Sequence, residues 1–73
     1  MIKVYSKNNC MQCKMVKRFL NEHGLEYSEI NIEEQPEARD YLMKMNLKTV
    51  PVTEVDGEVI IGFNITELRQ LIK

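Results

Sequence analysis

The chain has little of what usually marks a specialised class. Only 2 of its 73 residues are cysteine, too few for the disulfide framework that staples many small secreted domains. Neither charge sign prevails: 10 Lys and Arg against 11 Asp and Glu leave a net charge of −1, and no basic cluster stands out. That argues against nucleic acid as a partner, whose binding is dominated by cations that neutralise phosphates. No apolar run approaches the roughly 18 residues that span a bilayer, so no membrane partner is expected. The opening Met1-Ile2-Lys3-Val4-Tyr5 lacks the apolar stretch of a secretory signal, and the protein reads as cytoplasmic. Internal repeats, low-complexity tracts and linkers are missing too. With 44% apolar and 29% charged residues, what remains is one domain over residues 1–73, held by ordinary packing rather than disordered.

Strand-like and helix-like segments alternate along it. Ile2 to Tyr5 is β-branched and aromatic and predicts a first strand, with Ser6-Lys7-Asn8-Asn9 as the loop leaving it. Val16, Phe19, Leu20 and His23 fall on one stripe of a helix from about Met11 to His23, closed by Gly24. Ser28, Ile30 and Ile32 alternate with Glu29 and Asn31, the period of a strand, and the charges beside them suit a sheet edge. Pro36 suits the first turn of a second helix, with Ala38, Tyr41, Leu42 and Met45 as its apolar stripe. Pro51 to Val55 and Glu58 to Ile61 flank Asp56-Gly57, a pair suited to a type I′ hairpin turn. Asn64 with Glu67 resembles a capping box for a short last helix that sets Ile65, Leu68 and Ile72 against the sheet. The order β-α-β-α-β-β-α makes the first two strands parallel and the last two antiparallel, an α/β domain with one mixed sheet flanked by helices.

In a reducing compartment structural disulfides are rare, so Cys10-Met11-Gln12-Cys13 reads first as redox or metal chemistry. Cys10 falls where the loop turns into the helix, near free backbone N–H groups and the positive end of the helix dipole, which favours a thiolate and hence a nucleophile. Cys13, one turn on along the same face, is placed to attack a mixed disulfide at Cys10 and resolve it. Three other readings stand beside this one. A structural disulfide would close a very short loop and stabilise by only about 2 kcal/mol. Zinc would need two further ligands, with His23 at the far end of the helix and exposed carboxylates as the candidates. An iron–sulfur cluster shared between two chains would make the protein a dimeric binding module, visible by absorption and stoichiometric metal.

A strand, a loop, this motif opening a helix, and a later Val-Pro together form a more specific pattern than the motif alone. The chain resembles the thioredoxin-fold redoxins, and among them the NrdH-redoxins, small glutaredoxin-like proteins that accept electrons from thioredoxin reductase. The residues that carry the resemblance are Tyr5-Ser6-Lys7-Asn8-Asn9-Cys10-Met11-Gln12-Cys13, Pro36-Glu37-Ala38, Thr49-Val50-Pro51-Val52 and Gly62-Phe63. The resemblance implies a thioredoxin-like fold, one four-stranded mixed sheet flanked by three helices. It also implies a cis Val50–Pro51 bond facing the cysteines. A proline there leaves the Val50 backbone free to pair with an extended substrate beside Cys10.

The resemblance has departures. Ile60-Ile61 stand where many members have Trp-Ser, and Gly62-Phe63-Asn64-Ile65-Thr66 lacks the Gly-Gly and acidic pair with which typical glutaredoxins hold glutathione. Lys7 matches a glutaredoxin lysine that contacts a glutathione carboxylate. It reads equally as a solvated loop cation, or as a charge that raises the thiolate fraction of Cys10. Gln12 follows the redoxin pattern, and Met11 suits an exposed apolar contact. Met15, Met43 and Met45 read as helix packing, Phe63 as core or docking surface, and His23 as a helix cap rather than a proton carrier.

The expectation is therefore a monomeric dithiol oxidoreductase that needs no metal and no cofactor beyond the Cys10–Cys13 pair. Lys7, Met11, Gln12, Val50, Pro51, Gly62 and Phe63 are the expected substrate and partner contacts. The resemblance implies thioredoxin reductase as electron source and a class Ib ribonucleotide reductase as acceptor. The rival within the same enzyme class is a glutathione-dependent glutaredoxin, with glutathione near Lys7, Val50 and Thr66.

Overall fold

The computed structural model describes residues 1–72. The elements are β1 (Ile2–Ser6), α1 (Met11–Glu22), β2 (Tyr27–Asn31), α2 (Pro36–Lys44), β3 (Val52–Val55), β4 (Glu58–Ile61) and α3 (Ile65–Arg69). This is the expected order, and among the described residues it gives one four-stranded sheet in the order β2-β1-β3-β4. β1 and β2 run parallel, as a crossover through α1 requires, with Tyr5 opposite Ile30. β3 is antiparallel to β1, Val4 facing Thr53, and to β4, Thr53 facing Ile60.

Strand alternation divides the core in two. Val4 and Ile60 on one sheet face meet Val16, Phe19 and Leu20 of α1 and Leu68 of α3. Tyr5 and Val52 on the other face meet Ile32 and, from α2, Ala38 and Leu42. Each fully buried leucine contributes about 1.5–3 kcal/mol by leaving water, a large share for so small a domain.

The local signals act as read at several points. Pro36 opens α2, and the Asn64 side chain accepts from the Glu67 backbone N–H at 3.2 Å. Asp56 and Gly57 have φ of 49° and 85°, the left-handed pair of a type I′ turn. Elsewhere the boundaries or faces differ. Ser6 is the last residue of β1 rather than loop, because its carbonyl accepts from the Ile32 N–H at 2.8 Å. β2 begins at Tyr27, and Ile32 lies just beyond it in the second core. β3 starts at Val52 instead of Pro51, which has no N–H to give a ladder but whose carbonyl accepts from Gly62 at 2.9 Å.

His23 is not part of the buried stripe of α1. It is the residue after the last helical turn, and its exposed ring lies 4.3 Å, centre to centre, from that of Phe19. Met15, Met43 and Met45 are likewise exposed rather than packed, and so are Tyr41, Ile65 and Ile72. Among these short helices the sheet covers only a narrow stripe, so residues at its margins keep a solvent face. Among the described residues no helix is long and apolar enough to cross a membrane.

Candidate active site

Cys10 follows the loop that leaves β1 at the sheet's centre. Asn9 turns the chain with φ of 55°, a left-handed conformation that Asn tolerates better than other side chains. Cys10 then takes an extended conformation as the N-cap of α1, and its Sγ accepts from the Cys13 N–H at 3.2 Å. A sulfur thus stands in the capping role that Ser or Asp usually fills, beside an N–H that would favour negative charge. Cys10 and Cys13 are joined as a disulfide, with their Cα atoms 5.2 Å apart. The two are unequal in access: Cys10 is 8% exposed and Cys13 1%.

The loop is fastened from the side by residues that sequence reading did not single out. The Asn8 N–H donates to Glu33 at 2.7 Å, and Asn31 Nδ2 donates to Asn8 Oδ1 at 3.0 Å. Asn31 Oδ1 in turn accepts from the Glu33 N–H at 2.8 Å, so one Asn shapes the β2–α2 turn and grips the active-site loop. Beneath it, Ser6 Oγ donates to Glu29 at 2.8 Å and Lys17 Nζ meets the same carboxylate oxygen at 2.7 Å. The Lys17 contact holds the Glu29 carboxyl below its ordinary range, aided by Ser6 and opposed by partial burial. Partners so far apart along the chain leave no local signature. The turn-forming Asn31-Ile32-Glu33 is the one part of the clamp a sequence could suggest.

Val50–Pro51 is cis, as the resemblance implied. The Val50 N–H and C=O enter none of the loop and turn hydrogen bonds among the described residues. Gly62, with φ of 71°, brings the β4–α3 turn against Gln12: a Cβ there would lie 3.6 Å from Gln12 Oε1. Cys10, Cys13, Gln12, Pro51 and Gly62 therefore share one end of the sheet. Met11 is 70% exposed beside them, while Phe63 is half-buried against the core.

Lys7 and Val50 line a cleft of about 320 Å³. Ile32, Leu42 and Leu47 contribute apolar walls, and Arg39 and Lys48 add two more cations; among the described residues no acidic side chain lines it. Neither cation was singled out from the sequence, and Thr66, expected with Lys7 and Val50, is exposed on α3 and takes no part in the cleft. Among the described residues no three His, Cys, Asp or Glu side chains converge as metal ligands.

This geometry suits a dithiol pair opened and closed by exchange, with the more exposed cysteine at the helix mouth. The glutaredoxin family model matches residues 2–60. The glutaredoxin-like protein NrdH of Lactococcus lactis is 49% identical over 97% of this chain and 99% of its own length. The N-acetyl-S-hydroxy-L-cysteine reductase of Bacillus subtilis is 40% identical over 74% of this chain and 59% of its own. The solved glutaredoxin-like NrdH-redoxin of Escherichia coli superposes with a TM-score of 0.92 at 28% identity, covering 96% of this chain and 92% of that one. With the Cys10–Cys13 disulfide in place on a thioredoxin-like fold, the chain belongs to the glutaredoxin family, among its NrdH-like redoxins, and is a thiol–disulfide oxidoreductase.

Proposed function

We propose that the whole chain acts as one domain that reduces protein disulfides, with Cys10 as nucleophile and Cys13 as resolving thiol. The N-cap position and the unequal burial of the pair carry the assignment: Cys10, at the mouth of the helix, keeps 8% of its surface exposed and Cys13 1%. Cys10 as thiolate attacks a substrate disulfide, releases one substrate sulfur and forms a mixed disulfide. Cys13 then attacks Cys10 Sγ, expels the second substrate sulfur and leaves the Cys10–Cys13 bond. The unpaired Val50 backbone offers a strand edge for an extended substrate, and Met11, Gln12, Pro51, Gly62 and Phe63 frame its approach. Lys7, beside Val50, supplies positive charge to that approach.

By kinship with the NrdH proteins, the electron source in this proposal is thioredoxin reductase, the acceptor a ribonucleotide reductase, and the setting cytoplasmic. In a coupled assay NADPH and thioredoxin reductase alone should sustain turnover. Turnover only with glutathione and glutathione reductase would overturn this electron source. The cation-lined cleft beside Val50 favours that second outcome as the alternative reading, because its three cations suit the carboxylates of glutathione. For the two thiols, Cys10→Ser should abolish disulfide reduction, whereas Cys13→Ser should accumulate a mixed disulfide through Cys10 that mass spectrometry detects. Trapping through Cys13 in the Cys10→Ser protein would reverse the two roles.

A further inference from the structure

The chain passes from the end of β1 to the mouth of α1 through Lys7, Asn8 and Asn9, and Cys10 is held there from two directions. On the helix side its carbonyl accepts from the Lys14 N–H at 3.2 Å, and its Sγ accepts from the Cys13 N–H at 3.2 Å. On the loop side its position follows from where the preceding residues arrive. Lys7, Asn8 and Asn9 are all exposed, so core packing does not fix them. The turn after β2 does. The Ile32 N–H donates to the Ser6 carbonyl at 2.8 Å, the Glu33 carboxylate accepts from the Asn8 N–H at 2.7 Å, and Asn31 Nδ2 donates to Asn8 Oδ1 at 3.0 Å. The Asn31 amide has one workable orientation, because its oxygen accepts from the backbone N–H groups of Glu33 at 2.8 Å and Glu34 at 3.3 Å. One half-buried side chain thus shapes the turn and delivers it to the loop.

In the oxidised protein the bond to Cys13 keeps Cys10 in this place. Reduction removes that bond, and the sulfur then stays at the N-cap only while the backbone before it does not swing. Asn8 lies two residues before Cys10, and the residue between them, Asn9, is turned with φ of 55°, so holding Asn8 sets the direction from which Cys10 enters the helix. We propose that Asn31 is a positioning residue for Cys10: through Asn8 it keeps the reduced cysteine at the mouth of α1, facing the backbone N–H groups there. A thiolate is favoured at that place and not a few ångströms away, because the effect of a helix terminus falls off within one turn. The inference rests on Cys10 being the nucleophile and is independent of which reductase serves the protein.

The test compares Asn31→Asp with Asn8→Ala in a Cys13→Ser background, where alkylation rate against pH reads the Cys10 thiol alone. Asn31→Asp keeps the oxygen that shapes the turn and loses the amide donor that holds Asn8. Asn8→Ala loses the same bond without adding charge, at an exposed position that the fold tolerates. Lys7 and Glu33, the charged groups of the loop and its clamp, are present in every protein compared. Both variants should raise the Cys10 pKa by at least about half a unit, a roughly two- to fivefold loss of thiolate at any pH below it. The double variant should shift no further than Asn31→Asp, because both changes remove one bond. In the protein with both cysteines the pH profile of disulfide reduction should move upward by the same amount in Asn8→Ala. An unmoved pKa in either variant would overturn the proposal, a shift in Asn31→Asp alone being the effect of its added charge. So would a lower melting temperature with the pH profile in place, which would mark the clamp as structural alone. Trapping a mixed disulfide in the Cys13→Ser protein reports separately on which sulfur is the nucleophile.

Discussion

Two carboxylates each gather two partners at opposite faces of the sheet, and their titration behaviour follows from those partners. Glu29 takes the Lys17 ammonium and the Ser6 hydroxyl, so its carboxyl is more acidic folded than unfolded. A depressed carboxyl stabilises fully above its unfolded pKa, and that contribution disappears as pH falls through the folded value. Wild type should therefore melt above Glu29→Gln at neutral pH, and the gap should close on acidification below the carboxylate range. Because this pair is partly in water, the neutral gap should be below about 1 kcal/mol. Glu54 instead accepts from Tyr5 at 3.4 Å and from Tyr41. Burial first, then Glu54 and Tyr41, push the Tyr5 phenol up to about 12. The sign is opposite to that of Glu29: stability is intact below pH about 10 and lost as pH climbs toward the folded value. Phenolate absorbance should accordingly show late-titrating tyrosine that Tyr5→Phe removes in part, since the hydrogen bond to Glu54 also pushes the Tyr41 phenol up.

At the scale of elements, turns and caps set where the strands and helices stop. Gly57 has φ of 85° and open space where a Cβ would stand, so Gly57→Ala isolates backbone strain. It should cost about 1–2 kcal/mol, measured by denaturant unfolding, with little change in activity because the hairpin tip is remote from Cys10. Asn46 plays at the end of α2 the part that Gly24 plays after α1. Its φ is 60°, and the following Leu47 N–H returns to the Leu42 carbonyl at 3.0 Å. Gly24 is legible as a cap in the sequence and Asn46 is not, since Asn is the rarer residue there. Asn64 supplies one half of the anticipated capping box, the bond to the Glu67 N–H. Asn64→Ala should cost about 1 kcal/mol, measured by denaturant unfolding, and loosen α3.

On the scale of the molecule, a sheet with α1 and α3 on one face and α2 on the other leaves two thin cores and little reserve. A domain of this size has about 3–5 kcal/mol from its core, whereas truncating a fully buried leucine costs about 2–5 kcal/mol. Leu68→Ala should therefore leave much of the chain unfolded at room temperature, as circular dichroism would show. The same architecture explains the position of the chemistry. The central strand β1 delivers Cys10 to the sheet's end, and β3 and β4 bring Pro51 and Gly62 to meet it.

The sequence by itself determined the elements and their order, because period, turn residues and caps are written in neighbouring positions: Val16 with Phe19 and Leu20, Asp56 beside Gly57, Pro36 at a helix start. It also set Cys10 and Cys13 one helical turn apart, close enough for the disulfide that joins them. The tertiary structure alone decided what depends on distant partners: Glu33 and Asn31 gripping Asn8, Arg39 and Lys48 joining Lys7, Thr53 sealed in an apolar layer under α1. It alone decided, too, that His23 and three methionines face water, because a helical stripe tells which residues share a side and not how far the sheet extends to cover them.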